Sequence, residues 1–190
     1  MSAAALTPRQ AEIVERVSRG ATSKEIGAAL GITERAVKAQ LSRLYGRFGA
    51  PNRAGLIATV LAHPELVAHG VPDAVAALED PAAFAHYEGA PFLVAMTRGP
   101  RHVFAFVNAR VRAVMGPPGG AMVGRSIHEV CPDPPERIVA MDVAYASGEV
   151  RSLPNNRVGG LLVNTIFQPL RRGDGAVRGL LMICTDAAID

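Results

Sequence analysis

The sequence has no tryptophan, and only two of its 190 residues are cysteines. Cys131 and Cys184 are too few and too far apart for a disulfide framework or a zinc-ligand spacing, so both read as packing residues of a reducing compartment. No apolar run approaches the roughly 20 residues needed to cross a bilayer. The first residues, Met1 to Leu6, lack the basic and apolar regions of an export signal. A cytoplasmic protein is therefore expected. No G-x-S-x-G, H-E-x-x-H or phosphate loop occurs, and no carboxylate pair stands out, which argues against an enzyme.

What is present is apolar and unevenly charged. Hydrophobic residues make up 49% and charged residues 19%, a balance that supports packed cores rather than disorder. The overall charge is +3, but residues 1–62 hold nine Lys/Arg against four Asp/Glu, a net of +5, and the remainder is mildly acidic. A basic lobe joined to an acidic one suits a nucleic-acid module tethered to something else. Three segments are expected: a DNA-binding domain over 1–62, a linker with short helical pieces over 63–89 broken by Pro64, Pro72 and Pro81, and a second domain over 90–190.

The first segment reads as four helices with legible ends. Thr7 with Pro8 and Gln10, and Thr22 with Glu25, have the spacing of capping boxes, while Gly20, Gly31 and Gly49 stand where helices stop. Thr33 can cap the third helix. There Val37, Leu41, Leu44 and Phe48 form one apolar stripe, leaving Arg35, Lys38, Ala39, Ser42, Arg43 and Gly46 on the opposite side. Basic residues interleaved with small ones let a helix lie close to a polyanion. Asn52 can cap a fourth helix whose Leu56, Ile57, Val60 and Leu61 form a surface able to pair with its copy.

Beyond Ala90 the pattern changes to short runs rich in Val, Phe, Ile and Leu: Phe92–Met96, Val103–Val107, Leu161–Leu170 and Val177–Thr185. These read as strands, the last two joined through the turn residues of Arg171–Gly175. Helices capped by Asn108 and running from about Pro135 to Ser147 lie between them. The expected class is α+β with an antiparallel sheet.

Two resemblances sharpen this reading. The motifs L-T-P-R-Q (Leu6–Gln10), G-A-T-S-K-E-I (Gly20–Ile26), L-G-I-T (Leu30–Thr33), A-V-K-A-Q-L-S (Ala36–Ser42) and G-A-P-N-R-A (Gly49–Ala54) resemble the LuxR/GerE-type helix-turn-helix. The resemblance implies that the third helix enters the major groove of double-stranded DNA, with Lys38, Ala39 and Ser42 meeting bases or phosphates. Lys24, Thr33, Arg35, Gln40, Arg43, Arg47 and Arg53 complete the expected DNA-binding set. Departures are Gln10 for the family's usual Glu, Ala36 for Thr and Gln40 for His; they bear on the DNA sequence read, not on the fold.

Residues 91–186 resemble a PAS domain, on R-G-P-R-H-V-F-A-F-V-N (Arg98–Asn108), V-G-R-S-I-H-E-V-C-P (Val123–Pro132), F-Q-P-L with R-R-G-D-G (Phe167–Gly175), and the closing strand. That implies a five-stranded antiparallel sheet with helices on one face, around a pocket for a small ligand, haem or flavin, or a sheet used for dimerisation. The flavin-photosensor cysteine motif is absent, and the helix from Pro135 to Ser147 has no histidine to bind haem, so the cofactor stays unknown. His102 and His128 read as hydrogen-bonded structure and Asn108 as a cap. The function expected is a sequence-specific transcription regulator, acting as a homodimer, with a sensor of a small ligand or partner; the alternative is a second domain that only dimerises or docks. A cavity of a few hundred Å³ would favour the first and a core filled by side chains the second. Residues 63–89 are the expected coupling element.

Overall fold

The computed structural model describes residues 6–62, 78–80, 84, 87–115, 121–131, 135–172 and 174–186, without the side chains of Leu61 and Ala62. Four helices come first: α1 (Pro8–Ser18), α2 (Ser23–Leu30), α3 (Glu34–Phe48) and α4 (Arg53–Ala62). Their ends follow the expected signals. Thr7, Thr22 and Thr33 accept the backbone N–H of Gln10, Glu25 and Ala36, closing two capping boxes and one simple cap. Gly31 and Gly49 end α2 and α3 in the left-handed conformation. Asn52 Oδ1 accepts the Gly55 N–H at 3.0 Å, capping α4.

The second half contains β1 (Leu93–Arg98), β2 (Val103–Val107), α5 (Ala109–Met115), α6 (Ile127–Val130), α7 (Pro135–Ser147), β3 (Arg151–Val158), β4 (Leu161–Arg171) and β5 (Val177–Asp186). The strands form one antiparallel sheet in the order β2-β1-β5-β4-β3, the PAS-like arrangement. Four strands correspond to the apolar runs in the sequence. The fifth, β3, reads R-S-L-P-N-N-R-V and has no such run, because it is a mostly exposed edge strand. Its pairing shifts register between Leu153 and Asn156, where Pro154 and the positive-φ Asn155 sit, as expected where an irregular edge accommodates proline.

Both faces of the sheet are covered. Leu93, Ala95, Phe104, Phe167, Leu180 and Met182 point to one side and pack with Val111 of α5, Ile127 of α6 and Met141 and Ala144 of α7. Val94, Met96, Ile166, Leu170, Leu181 and Ile183 point to the other and share a continuous apolar core with all four N-terminal helices. α4 lies directly against β4 and β5. The contact extends to α1: a Cβ added at Gly20 would come within 2.1 Å of Pro91 Cγ, so the glycine that stops α1 also permits this close approach. Tyr87 bridges the two halves through Ser18, and burial pushes its phenol up to about 12. The expected coupling element over 63–89 lies largely outside the described residues, although Leu78, Phe84 and Tyr87 join the shared core.

Candidate nucleic-acid interface

The local sequence of α3 decides which of its sides is free. Val37, Leu41 and Leu44 are buried against the other helices, with Phe48 packed behind them. Arg35, Lys38, Ala39, Ser42, Arg43 and Gly46 are exposed together on the opposite side. Seven residues of the expected DNA-binding set therefore lie exposed along α3 or its cap: Thr33, Arg35, Lys38, Ala39, Ser42, Arg43 and Arg47. Gln40 is half-buried, and Lys24 is exposed in the first turn of α2.

Electrostatics divides the set further. Lys38 Nζ lies 2.7 Å from Glu34 Oε1, and that contact holds the Glu34 carboxyl below its ordinary range. This exposed pair is worth little by itself, so a phosphate can displace it at small cost. Arg47 donates to Gln10 Oε1 at 3.2 Å and stacks over the Phe48 ring. The Thr33 hydroxyl is already occupied as an acceptor by the Ala36 N–H. Arg53 sits elsewhere: it is 7% exposed and donates to the Ala21 carbonyl, tying α4 to the loop between α1 and α2. The hydrogen bond to that carbonyl offsets the cost of burying the guanidinium, and the burial takes Arg53 off the exposed face where a phosphate contact was expected.

The PAS-like core contains an apolar cavity of about 20 Å³, lined by Leu93, Phe104, Val111, Met182, Arg137 and Thr165 among others. That is room for about one water molecule. Two polar groups at its wall went unnoticed in the sequence. Arg137, 3% exposed, donates to Cys131 Sγ at 2.9 Å and to the Arg157 carbonyl at 2.6 Å. Its signal was legible: it occupies the buried side of α7 with Met141 and Ala144, a charge on an apolar stripe. Thr165 donates to Cys184 Sγ at 3.3 Å and accepts from Asn156 at 2.9 Å. Burial pushes the Cys184 thiol up, in keeping with a packing role. His102 is fully buried, its Nε2 2.9 Å from Asp142 Oδ1, whereas His128 is exposed. Asn108 caps α5 through the Val111 N–H and also reaches Val94, Tyr87 and Phe92. No group of three or more His, Cys, Asp or Glu able to hold a metal occurs among the described residues.

A helix pair with a basic, small-residue face, followed by a PAS-like sheet, defines a helix-turn-helix DNA-binding domain joined to an α+β domain. Residues 4–60 match the family model "bacterial regulatory proteins, luxR family" (GerE), so this N-terminal region is a LuxR-type helix-turn-helix domain. Over 60 residues the chain is 33% identical to the probable HTH-type transcriptional regulator GfsR of Streptomyces halstedii; the match covers 32% of this chain and 25% of that protein. The chain thus aligns with about a quarter of that curated relative's length. Among solved structures, a sensory box sensor histidine kinase from Vibrio cholerae is similar at 17% identity and a TM-score of 0.45, covering 60% of this chain and 95% of that one. The LuxR-type receptor VqmA of Vibrio cholerae is similar at 14% identity and a TM-score of 0.44, covering 54% and 50%. No described helix is long and apolar enough to cross a membrane.

Proposed function

We propose that this protein is a cytoplasmic transcription regulator, not an enzyme, that binds double-stranded DNA sequence-specifically as a homodimer. In this reading α3 enters the major groove and its exposed Arg35, Lys38, Ser42 and Arg43 meet bases and phosphates. The observation that carries the reading is the free side of α3: in a domain whose other helices are packed into a common core, this face is basic, lined by small residues and open to a groove. Two-fold pairing is supported by the reach of one short recognition helix, which reads only a few base pairs, whereas a dimer doubles the site. The test is fluorescence anisotropy with duplex DNA at fixed salt. Lys38→Ala is expected to lose about 1–3 kcal/mol of binding free energy; wild-type affinity in that variant would refute the assigned face.

For the PAS-like half, the small cavity favours a protein-contact role over a pocket for a cofactor-sized ligand. Its contact with α4 supports a role in holding the DNA-binding helices in one arrangement, through direct packing rather than through residues 63–89 alone. Native mass spectrometry of the protein from its own host tests this: a folded mass exceeding the denatured mass by a bound small molecule would overturn it.

A further inference from the structure

Two surfaces are expected from sequence to pair with a second copy, the apolar stripe of α4 and the face of the sheet. Each is consumed by the other: Leu56, Ile57 and Val60 are buried in the core that contains Ile166, Leu170, Leu181 and Ile183. A dimer with this packing intact needs another face. Six large apolar side chains among the described residues remain exposed, and three of them, Val139, Val143 and Val150, fall on α7 or just behind it. Val139 and Val143 stand one turn apart, 59% and 40% exposed, and Ala146 continues their stripe. Beside the stripe runs an open groove lined by Pro135, Glu136, Val139, Ala140, Val143 and Arg151.

We propose that this α7 face is where two copies of the chain pair about a two-fold axis. The charges at its ends argue for a second copy and set its direction. Glu136 lies in the first turn of α7, whereas Arg151 opens β3 just beyond the helix's other end. An antiparallel approach of two α7 helices sets Val139 and Val143 against their counterparts and brings Glu136 of each copy toward Arg151 of the other. A parallel approach would stack like charges. Arg151 has capacity for this contact: its side chain is part-exposed, and its Nη2 meets exposed Glu149 at 3.3 Å, a surface pair worth little that a second carboxylate can share. Asp142, the other acid on the exposed side of α7, is engaged by His102 and lies across the stripe from the groove. A self-complementary apolar stripe with opposite charges at its two ends is what an isologous interface requires.

The inference rests on the reading of the protein as a dimeric DNA-binding regulator, and sedimentation of the full chain, with and without duplex DNA, separates the two. The wild type is expected to be a dimer. The Val139→Glu/Val143→Glu variant, whose changes are at exposed positions, is expected to retain its circular dichroism and to dimerise roughly 100-fold more weakly, because pairing would bury unpaired carboxylates. Glu136→Arg alone should weaken the dimer about tenfold, and adding Arg151→Glu should restore it. A wild-type dimer unaffected by the folded double variant, or not rescued by the charge exchange, overturns the α7 face and leaves dimeric DNA binding standing. A wild type that stays monomeric on DNA overturns both.

Discussion

Helices α3 and α4 belong to the same small domain, yet they are built for opposite environments. α3 alternates apolar and basic positions, so that one side packs and the other stays in water. α4 reads R-A-G-L-I-A-T-V-L-A, and Ala54, Leu56, Ile57, Ala58 and Val60 are all buried. A helix that is apolar all round is enclosed on all sides, and α4 reaches that state by lying between its own domain and the sheet. The difference separates recognition from cohesion. The helix with the basic free side gains little stability from that side, and the helix that joins the two halves contributes nothing to the basic surface.

The most severe test of this contrast is Ile57→Ala. Loss of a fully buried side chain at the junction should cost about 2–5 kcal/mol, and because the core is shared, the helices and the sheet should unfold in one transition at a lower denaturant concentration. Two separate transitions, with only the helical one displaced, would show that the halves are stable independently. On α3 the pattern should invert. Arg43→Ala should leave stability within about 0.5 kcal/mol while reducing the slope of log affinity against log salt by about 0.9, one phosphate contact. An unchanged slope would remove Arg43 from the interface.

Much of this organisation was legible in the sequence, and the parts that were not have physical reasons. Caps such as Thr7, Thr22 and Thr33 act within one turn, so their chemistry is local, and each lies where its spacing predicts. The α4–sheet contact is long-range and left only an indirect trace. Runs such as Leu93–Met96 and Leu180–Cys184 are continuously apolar, whereas an antiparallel sheet with one wet face alternates; a second covered face follows from that, and α4 is the cover. Edge strand β3 escaped because its exposed positions carry no apolar run. Arg53 was misleading for a related reason: its charge suggested phosphate, but its place at the start of a buried helix gives it a carbonyl instead.

A smaller effect is expected from Thr33→Ala, which removes the cap of α3 and should cost about 1 kcal/mol, measured by thermal unfolding. Since the cap fixes where the recognition helix begins, affinity for duplex DNA should fall as well; affinity unchanged to within error would mean that the first turn of α3 does not touch DNA. Smaller still is a pH effect centred on His102. Burial lowers its affinity for a proton, against the opposing pull of Asp142, with His128 adding a weaker push in the same direction as burial. The unfolded chain therefore takes up the proton first, and stability present above the ordinary histidine pKa of about 6.5 should decline as pH falls below it. His102→Gln should flatten that decline below about pH 6.5, read from denaturant midpoints; the depressed carboxylates Glu25, Glu34, Glu129 and Asp174 add their own losses only at lower pH.

The shared core also governs how the molecule can open. For α4 to come free, the side chains of Ile166, Leu170, Leu181 and Ile183 must lose their cover in the same event. Amide hydrogen exchange would register this as a single cooperative unit, with α4 amides exchanging at the rate at which the sheet is uncovered and α3's outer turns exchanging faster by local fraying. Whatever stabilises the sheet's covered state then slows opening of the DNA-binding helices by the same free energy, although it never touches them.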